Sequence, residues 1–252
     1  LGVPSMLHDA NAVMGRANKL LAPRVDLVAM GFDGVGEGTV EVTGNPVRPA
    51  VIEAAKSAYP VRKAGEPFNL LVFGGSQGAQ FFSQALPLAI ELMTPQKRAL
   101  LRVVQQARAE DEAALKADYA RLAITAEIAP FFTDMAKKIA NAHFVISRAG
   151  ASTVSELAVI GRPALLVPYP HALDHDQALN AKAIADNGGA TIFAQSALEP
   201  QRLAEILDEA VSDPQRLSEM AGKAGKSGHP DAAARLADCL EKLAAGRREK
   251  AV

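Results

Sequence analysis

The sequence predicts an α/β protein that contains one complete doubly wound parallel sheet of the Rossmann type and part of a second such unit. Two observations predict it. Short runs rich in Val, Leu, Ile and Phe alternate with longer segments in which apolar residues recur at helical spacing. About six of these runs follow one another from residue 69 onward, each with a helical segment behind it, and strands joined by crossover helices pair in parallel.

The first 44 residues contain fewer elements. We predict strands at Val3 to Leu7, Leu27 to Met30 and Val40 to Thr43, and a helix at about Asn11 to Leu21. Four glycines mark a loop before the third strand: Gly31, Gly34, Gly36 and Gly38. We interpret residues 1–44 as the remnant of an N-terminal domain in a fragment, with too few elements to close a sheet of its own.

The complete domain is predicted at residues 45–230. It begins with Gly44-Asn45-Pro46-Val47-Arg48-Pro49, whose two prolines stiffen the chain, and we interpret this segment as an interdomain hinge. Six strands are expected at Leu70 to Phe73, Leu101 to Val104, Ala123 to Ile128, His143 to Ile146, Ala164 to Val167 and Ala190 to Phe193. After a break at Gly228-His229-Pro230, residues 231–252 are expected to form a helix that packs back toward the N-terminal domain, and a frayed basic tail.

Composition excludes several classes of protein. With 27 Lys and Arg against 28 Asp and Glu, the net charge is −1, so broad nucleic-acid binding is not expected and any anion site is local. No uncharged apolar run reaches the ~18 residues that cross a bilayer. A single cysteine, Cys239, lies on an apolar helix face, which favours a packed thiol in a reducing compartment.

Ligands of open parallel sheets bind at the carboxyl ends of the strands, so the loops that follow the strands are the candidate sites. The first is Gly74-Gly75-Ser76-Gln77-Gly78-Ala79, whose glycines allow backbone amides to approach a phosphate or a sugar. A plain tight turn explains it almost as well. The Lys-Ser/Thr of a Walker loop does not follow Gly78.

The second loop runs from Ser147 to Glu156 and opens a helix. Arg148 and Gly150 precede a first turn rich in hydroxyls, which suits a diphosphate at the helix end. Glu156 stands three residues after Thr153, so it either completes a capping box or accepts hydrogen bonds from both hydroxyls of a ribose. The spacing of Thr153 and Glu156 does not distinguish between these two roles of Glu156.

The third loop contains His171 and His175, which a metal ion could bind only if both lay on one helical turn, and Pro170 places His171 outside the helix. We favour Asp174 as a helix cap. Gln177 and Asn180 then lie on the first turns, where long amides suit sugar recognition, although a solvated face is the other reading.

Together, the hinge block, the two loops and Asp174-His175-Asp176-Gln177-Ala178-Leu179-Asn180-Ala181 resemble the MurG family in order and spacing over nearly the whole chain. These are the UDP-N-acetylglucosamine transferases that convert lipid I to lipid II in peptidoglycan synthesis. The resemblance implies a GT-B fold, with two Rossmann-like domains facing across a cleft and the nucleotide sugar in the complete domain.

The resemblance also implies site residues. Glu156 would bind the ribose, Ser76 and Arg48 the phosphates, and Gln177 the N-acetylglucosamine. The others would line the donor: Asn11 from the other domain, Phe132 beside the uracil, and Ala151, Ser152, Thr153, Val154 and Ser155 along the diphosphate and sugar. Asn11 lies in His8-Asp9-Ala10-Asn11, which resembles the family's His-Glu-Gln-Asn. The reaction would invert the anomeric centre without a metal or other cofactor.

The family's candidate base is a histidine in an N-terminal glycine-rich loop that residues 1–44 do not contain, so the catalytic residue is unknown; His8 is a weak nominee. The acceptor would be lipid I at the cytoplasmic face of the bacterial inner membrane, approached through that N-terminal region. We expect this polypeptide alone to bind the donor weakly or not at all and to turn over negligibly. Two alternatives are a UDP-sugar epimerase and a non-catalytic UDP-sugar-binding module completed by a partner chain.

Overall fold

The computed structural model describes residues 3–32, 40–172 and 176–248, without the side chains of residues 76–78 and 246–248. Gly34, Gly36, Gly38, Asp174 and His175 therefore lie outside the described residues, as does the end of the basic tail. Among the residues described, no helix combines the length and the apolar character needed to cross a membrane.

The first part of the chain forms a three-stranded parallel sheet in the order β1-β2-β3: β1 is Met6–Asp9, β2 is Leu27–Met30 and β3 is Val40–Val42. The expectation that these residues are too few for a sheet of their own is wrong. The central strand β2 is buried along its whole length, and pairing on both sides satisfies its backbone. Helix α1, Arg16–Leu21, starts later than expected because the Asp9 carboxylate accepts hydrogen bonds from the Asn11 and Gly15 amides and holds a loop there.

The second sheet has six parallel strands in the order β6-β5-β4-β7-β8-β9. Their bounds are β4 Phe68–Phe73, β5 Leu101–Gln106, β6 Thr125–Ala129, β7 Phe144–Ser147, β8 Ala164–Leu166 and β9 Ala190–Ile192. The prediction of a doubly wound Rossmann-like sheet is confirmed. Its strand order reverses between β4 and β7, and such a reversal opens a crevice at the carboxyl ends of those two strands.

Helices cover both faces of this sheet: α2 Pro49–Ala54, α3 Gly75–Leu92, α4 Pro95–Arg98, α5 Ala109–Arg121, α6 Met135–Asn141, α7 Ala151–Ile160, α8 Asp176–Ala185, α9 Pro200–Ser212 and α10 Pro214–Lys226. The last helix, α11, is Ala232–Arg248. Alternate residues of β4 enter opposite cores. Leu70 and Val72 pack with α3, α5 and α9, whereas Leu71 and Phe73 pack with α2, α6 and α7. Because both faces of such a strand are buried, its sequence is a nearly continuous run of apolar residues.

The C-terminal helix α11 follows the predicted break and carries the single cysteine. Cys239 is buried, as expected. Burial, with the Glu41 carboxylate of β3 beside the thiol, raises the pKa of Cys239. Since Glu41 belongs to the first sheet, α11 lies against that sheet.

Candidate functional site

The loops after β4, β5, β6 and β7 surround a cavity of about 420 Å³ next to the strand-order reversal. Its walls are formed by Pro46, Val47, Arg48, Phe73, Gln106, Phe131, Phe132, Met135, Ser152, Thr153 and Glu156. The cavity is at the carboxyl edge of the sheet, where open α/β sheets bind their ligands.

Five residues that the resemblance nominated line this one cavity: Arg48, Phe132, Ser152, Thr153 and Glu156. They come from three separate segments of the chain, the hinge, the loop after β6 and helix α7. Ala151, half-buried, is the first residue of α7 and stands beside them. The tertiary structure thus brings together residues that lie more than a hundred positions apart.

Glu156 forms a bidentate ion pair with Arg48. The Nε and Nη2 atoms of Arg48 donate to Oε1 and Oε2 of Glu156 at 3.0 and 3.1 Å. The capping box is excluded, because α7 begins at Ala151 with Gly150 as its N-cap and Glu156 therefore lies in the second turn. The capping-box interpretation is therefore wrong, and the contact between Glu156 and a ribose stays a prediction.

Two nominated residues on α7 point away from the cavity. The Val154 side chain is fully buried in the apolar core. The Ser155 hydroxyl donates to the Ala151 carbonyl at 2.9 Å and accepts from Nδ2 of Asn45 at 3.0 Å. Any contact between these two residues and a ligand would therefore involve the backbone.

Asn11 and Asn180 join the two sheets. Nδ2 of Asn180 donates to Oδ1 of Asn11 at 2.9 Å and to the Ala149 carbonyl at 3.3 Å, and Oδ1 of Asn180 accepts from the Ala12 amide at 2.8 Å. Asn180 is fully buried, so neither a solvated face nor direct sugar recognition describes it. Its amide instead fixes Asn11, a nominated sugar contact, against helix α8.

Two backbone amides donate hydrogen bonds to the side chain of Gln177. Its Oε1 accepts from the Ala149 amide at 3.1 Å and from the Tyr169 amide at 2.9 Å. This arrangement fixes the side chain between the loops after β7 and β8, one turn from Asn180 on the same helix. Neither Gln177 nor Asn11 is among the wall residues of the 420 Å³ cavity.

Arg148 does not face the α7 N-terminus, and its expected role in a diphosphate site is wrong. Its guanidinium donates to the Val167 and Pro168 carbonyls and to Oε1 of Gln195, the last at 2.6 Å. The guanidinium also lies near the rings of Phe81, Phe82 and Tyr169, of which Phe82 is the nearest, with its ring centroid 5.1 Å from Cζ. Burial lowers the pKa of Arg148 to about 10. The residue ties together the loops after β7, β8 and β9.

The glycine loop after β4 begins helix α3 at Gly75, whose φ of +66° suits glycine. The Gly75 amide donates to Oε1 of Gln106 at 3.1 Å. The Ser76 side chain lies outside the described residues, so its phosphate contact stays a prediction. The His171 ring contacts the Tyr169 ring edge-on. His175, the second histidine of the alternative metal site, lies outside the described residues.

His8 lies in β1, opposite Ala29 of β2, and its Nε2 atom is buried without a hydrogen-bond partner among the described residues. It is thus a strand histidine rather than a loop histidine, and its side chain is half-buried.

Six of the cavity residues were not nominated from the sequence, and two of them have a distinct role in the wall. Phe131 is 72% exposed at the cavity, an unusual position for a phenylalanine, and an adjacent Phe-Phe pair after a strand could have indicated it. Gln106 accepts from Gly75 and donates to the Pro130 carbonyl at 3.0 Å, and so links the loops after β4, β5 and β6. Nothing in the sequence singles out this second residue.

Comparison with known proteins bears on this site. The model of the glycosyltransferase family 28 C-terminal domain matches residues 69–236. The UDP-N-acetylglucosamine--N-acetylmuramyl-(pentapeptide) pyrophosphoryl-undecaprenol N-acetylglucosamine transferase of Rhizobium etli (strain CIAT 652) is 58% identical over 98% of this chain and 67% of its own length. The chain belongs to this family, the MurG glycosyltransferases. It spans about two thirds of the length of the relatives it matches.

Solved structures agree. A crystal structure of Acinetobacter baumannii MurG matches 96% of this chain and 68% of its own, with a TM-score of 0.81 and 33% sequence identity. A putative UDP-N-acetylglucosamine 2-epimerase from Listeria monocytogenes has a TM-score of 0.62 over 94% of the chain but only 14% identity, which shows a shared fold alone. The GT-B arrangement expected from the MurG resemblance is thereby confirmed.

Proposed function

We propose that the 420 Å³ cavity of this chain is the site that binds UDP-N-acetylglucosamine and that, with a complete acceptor-side domain, the sugar is transferred with inversion to undecaprenyl-diphospho-muramoylpentapeptide, lipid I, which yields lipid II. One observation carries the proposal. Five residues nominated as donor contacts, from three segments, line one cavity in a member of a glycosyltransferase family whose relatives bear that activity in their names.

The polar wall of the cavity fits the ribose and diphosphate. The Glu156 carboxylate offers two oxygens to a pair of hydroxyls, and Arg48 offers a guanidinium to phosphate oxygens. The first amides of α7, at Ala151 to Thr153, have no carbonyl one turn before them and carry partial positive charge. Preformed donors of this kind stabilise the negative charge that develops on the departing UDP.

The sugar end is proposed at Asn11 and Gln177, which the buried Asn180 and two backbone amides hold in place. We further propose that residues 1–44 belong to the acceptor-side domain, residues 45–230 to the donor domain, and residues 231–252 to a C-terminal helix and tail, of which the helix packs back toward the former. The acceptor is a lipid, and we propose that it is met at the cytoplasmic surface of the inner membrane.

Calorimetry with the purified chain tests the donor site. Because the cavity is already formed in this chain, UDP-N-acetylglucosamine and UDP are expected to bind weakly rather than not at all, and ADP-glucose is expected not to bind. Absence of UDP binding at millimolar concentration would refute the proposed site.

A second assay tests the reaction. The chain is mixed with the N-terminal third of the Rhizobium etli enzyme, a lipid I analogue and radiolabelled UDP-N-acetylglucosamine. Transfer of label to the lipid is expected. Conversion of the donor to its 2-epimer without transfer would instead favour an epimerase.

A further inference from the structure

We propose that Lys138 is a positioning residue of the donor pocket: together with Glu127 it fixes Phe132 and the wall that faces the nucleobase. This inference rests on the proposed function, because it assigns one wall of the same cavity to one part of the donor.

Lys138 is held in place from the neighbouring strand. On helix α6, its Nζ lies 2.8 and 2.9 Å from the two carboxylate oxygens of Glu127 on β6, and 3.7 Å from Oδ2 of Asp134. Its side chain is only 13% exposed. A lysine ordinarily has four mobile torsions, so contacts with both oxygens of one carboxylate and this degree of burial restrict the ammonium to one place.

The same ammonium lies against the cavity wall. Nζ of Lys138 is 4.7 Å from the centroid of the Phe132 ring, within the range of a cation–π interaction. Phe132 is 7% exposed and lines the cavity. The ring therefore has the cavity on one side and a fixed cation near it, and loss of the cation would free the ring to turn.

The wall is anchored at both ends. Gln106 donates to the Pro130 carbonyl at 3.0 Å where the loop leaves β6, and Lys138 contacts Phe132 where the loop approaches α6. Between these anchors stand Phe131, which is exposed, and Phe132, which is not. Adjacent aromatic rings present flat apolar surface, which suits a nucleobase.

The wall residues from the hinge and from helix α7 have the complementary chemistry. Arg48 and Glu156 supply charge there, and Ser152 and Thr153 supply hydroxyls. A nucleoside diphosphate has an apolar, flat end and a polar, charged end. The division of the cavity into an aromatic wall and a polar wall thus assigns the base to the side that Lys138 supports.

The decisive experiment compares three variants of the 252-residue chain by calorimetry with UMP and UDP: Lys138→Met, Lys138→Arg and the control Lys137→Met, which alters the exposed neighbour on the same helix. Lys138→Met is expected to weaken both nucleotides by the same factor, roughly three- to tenfold, because both carry the base. Lys138→Arg should restore affinity, since a guanidinium also binds an aromatic face, and Lys137→Met should match the wild type. Unchanged affinity in Lys138→Met, or no rescue by arginine, would overturn the inference.

A second measurement needs no ligand. Hydrogen exchange of the backbone amides of residues 131–135 in the free chain is expected to be several-fold faster in Lys138→Met and in Glu127→Gln than in the wild type or Lys137→Met. Equal exchange in all four proteins would also overturn the inference. If the wild type binds neither UMP nor UDP, the proposed function fails, and the exchange rates still decide whether Lys138 holds the wall.

Discussion

Two nitrogens of the Arg48 guanidinium donate hydrogen bonds to the two carboxylate oxygens of Glu156, and both residues line the candidate donor cavity. The side chain of Arg48 is 58% exposed and that of Glu156 only 12%, so the carboxylate is the enclosed partner and the guanidinium the accessible one. A donor that used the Glu156 oxygens for its ribose would have to displace Arg48, which could then turn toward the diphosphate.

The first prediction separates binding from stability at Glu156. Because its partner is largely exposed, the ion pair contributes at most about 1 kcal/mol to the free energy of unfolding. Two hydrogen bonds from a ribose to this carboxylate would contribute about 1.5–3 kcal/mol each to binding. Glu156→Ala is therefore expected to weaken UDP binding by at least about tenfold in calorimetry, with little change in urea denaturation.

Glu53→Ala is the matched control, because Glu53 forms an exposed ion pair with Lys56 at 2.5 Å and lies outside the cavity wall. Its UDP affinity should equal that of the wild type. A Glu156→Ala variant that binds UDP normally would remove the ribose role.

The second prediction concerns the amide that joins the two sheets. Asn180→Leu keeps the volume of the side chain but leaves the Ala12 amide and the Ala149 carbonyl without their partner. Buried polar groups that lose a partner cost about 1–3 kcal/mol each, so a loss of about 2–4 kcal/mol in the free energy of unfolding is expected from urea denaturation. Asn187→Ala, which removes one exposed hydrogen bond to Ser227, should cost under about 1 kcal/mol. Equal losses in the two variants would contradict the structural role of Asn180.

The third prediction is a pH dependence at His143. Its Nδ1 accepts a hydrogen bond from the Asn69 amide at 2.8 Å, which requires the neutral ring. Burial, with help from the nearby Arg62 and Arg162 cations, lowers the pKa of His143. As the pH falls, the imidazole of the unfolded chain binds a proton near pH 6.5, and the imidazole of the folded chain binds one only at a lower pH. The contribution of His143 to the free energy of unfolding is therefore complete above about pH 6.5 and decreases as the pH falls toward the pKa of the folded state.

Urea denaturation at about pH 7.5 and pH 5.5 measures this effect. The wild type is expected to lose more stability between the two values than His143→Asn, by up to about 1.4 kcal/mol for each pH unit of the shift. His171→Asn, at an exposed imidazole, should keep the wild-type difference. A His143→Asn variant with an undiminished pH dependence would contradict the assignment.

The fourth prediction uses two glycines with the same backbone conformation and different surroundings. Gly44 has φ of +81°, and a Cβ there would lie 2.5 Å from Cβ of His229; Gly65 has φ of +84° and open space around it. Gly65→Ala should cost about 1 kcal/mol of unfolding free energy through backbone strain alone. Gly44→Ala should cost clearly more, since it also separates the hinge from the loop before α11. Thermal denaturation of both variants measures the difference. Equal shifts in Tm would show that the close approach of Gly44 to His229 does not affect stability.

Much of the fold could be predicted because local pattern and tertiary environment agree. Strand β2 has the predicted bounds, Leu27 to Met30, since a run of four apolar residues between Asp26 and Gly31 is suited to a buried strand. The six strands of the second sheet were predicted for the same reason, and parallel pairing followed from the crossover helices.

The roles of the charged and amide side chains could not be predicted in this way. Arg148 follows a strand and precedes a helix, as an anion-binding residue would, yet it turns into the fold and binds three oxygens there. Asn180 lies at helical spacing from Gln177, yet only Gln177 is accessible. The direction of a long polar side chain depends on which neighbours the tertiary fold provides, and spacing along the chain does not contain that information.

The sequence by itself determined the order of strands and helices, the loops that reach the carboxyl edge of the second sheet, and the membership of the chain in its family. These features depend on periodicity, glycine and proline positions, and blocks of adjacent residues. The tertiary structure decided that strands β1, β2 and β3 form a sheet of their own, that Glu156 pairs with Arg48, and that Phe131 joins Phe132 in the cavity wall. Each of these outcomes depends on contacts between groups that are distant in sequence. Such contacts contribute to the free energy of folding only after packing has brought both groups together.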